Sequence, residues 1–255
     1  MAQGVSGLMS VTGEPGGAPV KVGVPISDLG AGLFAVMGIL GAVIAKQRTG
    51  EGQFVDTSLV DAGVALSVWE ATQFFSGRGV PEALGSAHRM NAPYQAIRCA
   101  DGYITLGAAN DRIFGRLCDV LGHPEWRADP DFRDDAHRLE HRARLIAGIE
   151  ALTVSKPRDH WLRVFEAKDI PCGPINDYAE VMRDAHVRAR GLVVDTDHPT
   201  LGRIETLGSA VKLSKTPLTP GRPAPMLGEH TDEVLLEVGF EAREVEGFRK
   251  DGVVA

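Results

Sequence analysis

The sequence predicts a soluble α/β protein, and three observations support this prediction. Two long apolar segments with helical spacing come first, and several amphipathic helical segments follow them. Short runs rich in β-branched residues stand beside turn residues further along the chain. The composition, 44% hydrophobic and 24% charged over 255 residues, is that of a globular protein able to bury one core or two smaller ones.

Charge and cysteine content narrow the classes of function. The net charge is −7 at pH 7 and the basic residues are dispersed, which argues against a nucleic-acid partner. The three cysteines, Cys99, Cys118 and Cys172, lack the paired spacing of a zinc site. The N-terminal residues lack the pattern of a secretory signal. We therefore expect a cytoplasmic protein without a metal site.

The first predicted element is an apolar helix. Residues 1–24 are rich in glycine and turn residues, so we expect a loop there. The helix begins at Pro25–Asp28 and runs to about Lys46. Its uncharged part, Leu29–Ala45, is at the lower limit of the roughly 17–25 residues that span a membrane, and its glycines dilute the hydrophobicity. We expect a buried helix of a soluble domain, without membrane contact.

Helices and strands then alternate as far as residue 168. Phe54–Thr57 is extended by pattern, and Leu59–Phe75 has the spacing of a second apolar helix. A turn at Ala100–Gly102 leads into a short strand at Tyr103–Leu106. Helical spacing with charged outer faces recurs in three further segments: residues 110–121, 134–153 and 157–168.

A change of composition marks a boundary near residue 172. Two prolines and a glycine in Ile170–Pro174 interrupt the helices, so we place a boundary between lobes there. Residues 191–213 carry β-rich runs around turns. A proline-rich connector at residues 216–225 leads to a last helix from about Thr231.

Two histidines have the spacing of metal ligands on a helix. His137 and His141 are four residues apart and could share one face of a helix. No third ligand is indicated, and Arg138, Arg142 and Arg144 add positive charge to the same segment. We interpret the segment as a solvated helix face rather than a metal site.

Two segments resemble the surroundings of a catalytic nucleophile. Cys172 stands in a loop where a thiol could react, but no paired histidine or asparagine motif accompanies it. We interpret Cys172 as a packing or turn residue. Gly4–Gly7 falls one residue short of the glycine-flanked serine of a hydrolase elbow.

The loop Gly85–Gln95 holds the most interesting polar cluster. His88 and Asn91 stand there among small residues that would let a ligand approach the backbone. From the residues alone, an ordinary loop and a binding loop both remain open.

Several runs together resemble a known family. The longest is Arg48–Asp61, with the sequence RTGEGQFVDTSLVD, and the others are Ser6–Gly13, Gly85–Gln95, Ile170–Asp177 and Leu227–Val234. In this order they resemble family III CoA-transferases, the group that contains formyl-CoA transferase, carnitine CoA-transferase and α-methylacyl-CoA racemase. The resemblance covers essentially the whole chain.

The resemblance implies a fold that periodicity alone does not predict. Family members have a Rossmann-like large domain built from both chain ends, a small α+β domain inserted in it, and two interlocked subunits. We therefore expect an incomplete large domain with long apolar helices at 1–79, the small domain at 80–175, and a return to the large domain at 176–255. We also expect a homodimer.

The resemblance further implies a transferase mechanism. In the family, an aspartate attacks an acyl-CoA to form an anhydride and then an aspartyl-CoA thioester, from which a carboxylic acid takes CoA. The aspartate is expected just upstream of Met1, so we place no catalytic residue in this chain and expect the chain alone to be inactive. Coenzyme A and acyl-CoA would be substrates, with no permanently bound cofactor.

Five residues can be carried over to the site. His88, Arg89, Met90 and Asn91 match a mobile loop that closes over the catalytic aspartate in formyl-CoA transferase. Asn110 stands where the racemase branch has a glutamate, and an amide cannot act as the base. Transfer of CoA is therefore favoured. An acyl-CoA racemase or epimerase, and a non-catalytic structural subunit or fragment, remain alternatives.

Overall fold

The structure is a computed structural model that describes residues 1–218 and 223–254. The chain divides into two compact units, Met1–Ile175 and Asn176–Ala255. The predicted further division between residues 79 and 80 stays a prediction.

The helices are α1 Ala2–Val5, α2 Ile26–Thr49, α3 Leu59–Leu66, α4 Val68–Phe75, α5 Asp111–Leu121, α6 Asp135–Glu140, α7 Arg142–Thr153, α8 Arg158–Glu166, α9 Tyr178–Arg183, α10 Ala185–Ala189, α11 Thr231–Glu237 and α12 Ala242–Lys250. The strands are β1 Tyr94–Cys99, β2 Gly102–Gly107, β3 Cys172–Pro174, β4 Val193–His198 and β5 Gly202–Leu207.

A three-stranded antiparallel sheet with the order β1-β2-β3 organises the first unit. The predicted strand at Tyr103–Leu106 is confirmed as β2, with one more residue at each end. β1 was not predicted, because Gln95 and Arg98 interrupt its apolar pattern. In the hairpin, Ile97 of β1 lies opposite Ile104 of β2, and both are fully buried.

The core of the first unit lies between this sheet and helices α5 to α8. α7 packs on β1, and α8 packs on β2 and β3. Phe114 and Leu117 of α5, Ile149 of α7 and Phe165 of α8 are buried in one cluster. Burial of each of these side chains contributes about 1.5–3 kcal/mol. This cluster holds the strand ends in place.

The helix predicted for residues 134–153 is two helices. α6 and α7 meet at His141, whose backbone (φ −99°, ψ 24°) leaves the helical region. The amide of His141 donates to the His137 carbonyl at 2.9 Å, which is the last helical hydrogen bond of α6. Residues 110–121 and 157–168 form α5 and α8 as predicted, with shorter bounds for α8.

The prediction that the first apolar helix is buried is wrong within this chain. α2 extends over 24 residues, and only Ser27 and Gly30 of it are buried. α3 contacts one side, where a Cβ on Gly30 would lie 3.0 Å from a methyl of Leu66. By length and apolar composition α2 could cross a membrane, with a mean hydropathy of 2.0 over its most apolar window. Many of its large apolar side chains are exposed, among them Leu33, Met37 and Leu40.

The second predicted helix, residues 59–75, is broken into α3 and α4. The Ser67 hydroxyl donates to the Gly63 carbonyl at 3.0 Å, and the Ser67 amide donates to Val64 instead of Gly63. Serine bonding to the carbonyl four residues back bends helices. Phe54–Thr57, predicted to be extended, belongs to no strand.

The second unit consists of a hairpin and short helices. β4 and β5 confirm the predicted β-rich character of residues 191–213. The single helix predicted from Thr231 is two helices, separated at Gly239, whose φ of 104° is left-handed. Phe240 then packs edge-on against Phe248 with ring centroids 5.3 Å apart. The predicted connector at 216–225 lies partly outside the described residues, at 219–222.

Candidate functional site

A cavity of about 660 Å³ lies beside the sheet of the first unit. Asn91, which precedes β1, and Asn110, which follows β2, both line it. Tyr94, Asp135 and Cys172 contribute further parts of the wall. The hairpin register explains the meeting of the two asparagines, because Tyr94 pairs with Gly107 at the open end of β1 and β2. The structure therefore brings together one residue of the predicted loop and the predicted pocket residue.

Asn110 stabilises the start of helix α5 at this wall. It is the N-cap of α5, and its amide oxygen accepts a hydrogen bond from the Ile113 amide at 2.9 Å. An N-cap of this kind stabilises a helix by about 1 kcal/mol. The oxygen of Asn110 is therefore engaged, which leaves its amide nitrogen as the donor group of this side chain.

Asn91 lies between a histidine and a carboxylate. With its amide nitrogen 3.1 Å from Asp135 Oδ2 and its oxygen 3.1 Å from His88 Nδ1, both neighbours are satisfied. His88 Nδ1 also lies 3.1 Å from the Met90 amide, which donates to it. The His88 ring stacks on Tyr94 (centroids 4.9 Å apart) and meets Trp69 edge-on at 5.0 Å. His88 supports Asn91 and is itself held between two aromatic rings.

The other two loop residues face a neighbouring cavity of about 530 Å³. Arg89 pairs with Glu70 of α4 at 2.9 Å, and these side chains are 13% and 26% exposed. Arg89 also donates to the Glu82 carbonyl at 2.9 Å. Met90 is 52% exposed. Of the four predicted loop residues, only Asn91 lines the first cavity.

Arg138 corrects the interpretation of residues 137–144 as a solvated face. Its side chain is completely buried. Nε donates to the Ala92 carbonyl at 3.1 Å, and Nη1 donates to the Phe132 carbonyl at 3.0 Å. Nη2 donates to the Ala109 carbonyl and, at 2.9 Å, to Asp111. The guanidinium also lies over the Phe114 ring, 4.5 Å from its centroid.

Two more charged residues of the same segment contact the predicted loop. Asp135 accepts from the Ala92 amide at 3.2 Å, and Arg142 donates to the His88 carbonyl. Burial lowers the pKa of Arg142, and the nearby Asp135 opposes this shift. The spacing of Asp135, Arg138 and Arg142 along the chain was visible in the sequence. Their acceptors, which lie on a distant loop, were not.

The rings of His137 and His141 contact different partners. His137 Nδ1 lies 2.7 Å from Asp134, and this contact lowers the pKa of that carboxyl. The His141 ring instead contacts the His137 carbonyl at 3.0 Å. Across residues 1–218 and 223–254, no group of three or more His, Cys, Asp or Glu side chains could hold a metal ion.

The packing role predicted for Cys172 is confirmed. Its side chain packs against the core, and its Sγ lies 3.8 Å from the Leu162 carbonyl. Burial raises the pKa of this thiol, so the reactive thiolate is disfavoured.

Comparison with known proteins agrees with this fold and identifies the family. The model of CoA-transferase family III matches residues 1–231. The chain belongs to CoA-transferase family III. This confirms the predicted family and its fold class.

Curated members of the family are similar along the entire chain. A succinyl-CoA:glutarate CoA-transferase of Mus musculus is 36% identical over 255 residues, which is 100% of this chain and 58% of that protein. A formyl-CoA:oxalate CoA-transferase of Bradyrhizobium diazoefficiens is 32% identical over 281 aligned positions, covering 100% of this chain and 65% of that protein. The chain thus spans less than two thirds of the length of these relatives.

Solved structures share the fold. A CAIB/BAIF family protein from Brucella suis superposes with a TM-score of 0.81 and 34% identity, over 93% of this chain and 62% of that chain. Rv3272 from Mycobacterium tuberculosis superposes with a TM-score of 0.77 at 20% identity, which supports the fold alone.

Proposed function

We propose that this chain forms part of an enzyme that transfers CoA between an acyl-CoA and a carboxylic acid. The observation that carries the proposal is the meeting of Asn91 and Asn110 in one cavity of about 660 Å³, in a chain of this family. The amide nitrogen of Asn110, whose oxygen is held by the Ile113 amide, can donate to an oxyanion formed in acyl transfer. The loop at His88–Asn91 would close over the reacting carboxylate and shield an anhydride from water.

The nucleophile is proposed to be an aspartate that the family resemblance places before Met1. No carboxylate of the first cavity is available for this role, because Asp135 is held by the Ala92 amide and by Asn91. Residues 1–255 supply, in this proposal, the closing loop and one wall of the acid pocket. Racemisation is less well supported, since the Asn110 oxygen is bound to a backbone amide and an amide cannot act as a base.

Short dicarboxylic acids are the first acceptors to test, because the relatives named above act on glutarate and oxalate. Succinyl-CoA would be incubated with glutarate, and separately with oxalate, using this chain alone and together with the polypeptide that carries the aspartate. We expect CoA transfer only from the combination. We expect no covalent acyl or CoA adduct on the chain alone by mass spectrometry.

Three outcomes would contradict this proposal. A CoA-sized mass increase on a carboxylate of residues 1–255 would place the nucleophile inside this chain. Exchange of deuterium at the acyl α-carbon by the combination, without CoA transfer, would favour a racemase. A combination that performs neither reaction would favour a non-catalytic subunit.

We also propose that the chain associates as a homodimer. The exposed apolar face of α2 supports this, since large unpartnered apolar surfaces in folded proteins mark interaction sites.

A further inference from the structure

Arg138 connects the two segments that form the wall of the first cavity. The carbonyl of Ala92, which accepts from Nε, belongs to the residue after Asn91. The carbonyl of Ala109, which accepts from Nη2, belongs to the residue before Asn110. One guanidinium therefore holds the backbone immediately beside each of the two cavity asparagines.

The permanent charge of arginine means that the buried Arg138 side chain needs these acceptors. A guanidinium stays charged in proteins, so a completely buried Arg138 cannot escape the cost of burial by losing a proton. It requires an acceptor for each of its donors, and its carboxylate partner, Asp111, is 72% exposed. Three backbone carbonyls therefore supply most of the hydrogen bonds that offset the cost of burying this charge. Moving any one of them away leaves a buried N–H of the guanidinium without an acceptor.

The opposite side of the same loop residue is also held. The Ala92 amide donates to Asp135, three residues before Arg138 on α6. Both polar groups of Ala92 are therefore bound by one short helix. Arg142 adds a hydrogen bond to the His88 carbonyl, at the start of the loop.

We propose that Arg138 is a positioning residue that sets the separation of Asn91 and Asn110, and with it the conformation of the loop at residues 88–92. Its own side chain does not line the cavity. The inference rests on the proposed function and deepens it, because it identifies the residue that positions the wall of the acid pocket.

The first test uses hydrogen exchange of the whole chain and needs no activity. Arg138→Met is expected to accelerate exchange in a peptide covering residues 85–93 by about 10- to 100-fold, the loss expected for hydrogen bonds to a charged donor. Exchange in a peptide covering α8 should stay within about twofold. Equal acceleration in both peptides would show a general structural role and overturn the proposal.

Arg144→Met is the matched control. Arg144 also lies over an aromatic ring, Phe132, at 4.7 Å, and it pairs with Asp129 and Asp131. It makes no hydrogen bond to residues 88–110 among the described contacts. This variant should leave exchange of residues 85–93 unchanged, and the same acceleration as in Arg138→Met would contradict the proposal.

If Arg138→Met does not fold, Arg138→Lys is used in the exchange measurement instead. A lysine keeps the charge but lacks the planar fork that reaches several acceptors together. It should accelerate exchange at residues 85–93 by at least about fivefold while the α8 peptide remains protected. Full protection of residues 85–93 in this variant would overturn the proposal.

The second test measures function in the combination with the aspartate-bearing polypeptide. If the loop excludes water, Arg138→Met should raise the ratio of acyl-CoA hydrolysis to CoA transfer by about tenfold, and Arg144→Met should not. An unchanged ratio with lowered turnover would refute the role in closure. If the unmodified combination has no activity, the proposed function fails, and the exchange experiment still decides whether Arg138 positions the loop.

Discussion

Two apolar regions of the first unit differ in what covers them. In the sheet region, Phe114, Leu117 and Phe165 are at most 2% exposed beneath the surrounding helices and strands. In the region of α2 to α4, Leu33 is 68% and Phe75 is 82% exposed. Both regions are rich in large apolar side chains, so composition does not distinguish them. The sheet region is covered by its own helices, whereas the α2–α4 region leaves large apolar side chains exposed.

The largest expected effect concerns the exposed apolar surface of α2 to α4. We expect the chain to sediment as a homodimer that buries roughly 2,000–5,000 Å² or more, as obligate interfaces do. Leu33→Glu together with Leu40→Glu would place charges in this interface and should convert the dimer to monomer or aggregate, with helix content unchanged by circular dichroism.

The control for this prediction is Gln47→Glu, which adds one charge to an exposed position of the same helix. It should leave the sedimentation coefficient unchanged. A monodisperse wild-type monomer would contradict the dimer. Flotation of the chain with phospholipid vesicles would instead assign the apolar face of α2 to a membrane.

A phenylalanine truncation in each region sharpens the comparison. Phe165→Ala removes a fully buried ring that stacks on Trp161 with centroids 5.5 Å apart. We expect it to lower the free energy of unfolding by about 3–5 kcal/mol in urea denaturation.

Phe75→Ala is its counterpart in the α2–α4 region. Within a monomer this exposed side chain should contribute less than about 0.5 kcal/mol. A loss comparable to that of Phe165→Ala, and dependent on protein concentration, would show that association buries the α2–α4 region. A loss below about 1 kcal/mol for Phe165→Ala would mean that the sheet region is not the stable core.

A further difference between the two regions is a pH dependence of stability in the sheet region. Burial raises the pKa of Cys118 from 9.0 to about 11. Below pH 9 the thiol is protonated in both the folded and the unfolded chain, and the stability of the fold is not reduced by its titration. As the pH rises through about 9 to 11, only the unfolded chain releases the proton, so the free energy of unfolding falls. The difference corresponds to about 3 kcal/mol.

Urea unfolding at pH 8, 9.5 and 11 would measure this loss. Cys118→Ala should retain the contributions of other titrating groups and lack this one, so its free energy of unfolding should fall less with pH. Parallel pH profiles for the two proteins would show that water reaches Cys118 in the folded state.

Local signals explain the elements that were predicted correctly. Asn110 caps α5, and Gly122, with a φ of 75°, ends it, so both bounds of this helix are encoded within its own segment. The strand β2 follows a turn and alternates buried with exposed residues. The breaks at Ser67 and His141 were missed, because their apolar periodicity continues across each break and only backbone hydrogen bonding reveals the interruption.

The candidate site was predicted in part. The loop at His88–Asn91 and the position of Asn110 entered through family resemblance, and the structure places Asn91 and Asn110 in one cavity. The roles of those residues in transfer stay predictions. The interpretation of Arg138 as part of a solvated helix face was wrong. An arginine beside two histidines gives the same sequence pattern whether that helix face is exposed to solvent or buried.

By itself, the sequence determined the family, the α/β class and the helices whose caps and periodicity are local. Local encoding suffices there, since helix hydrogen bonds and caps join residues three or four positions apart. Only the tertiary structure decided that Arg138 is buried, because its carbonyl acceptors lie 46, 29 and 6 residues away. The same holds for α2, whose apolar face is buried or exposed according to what other chain segments reach it.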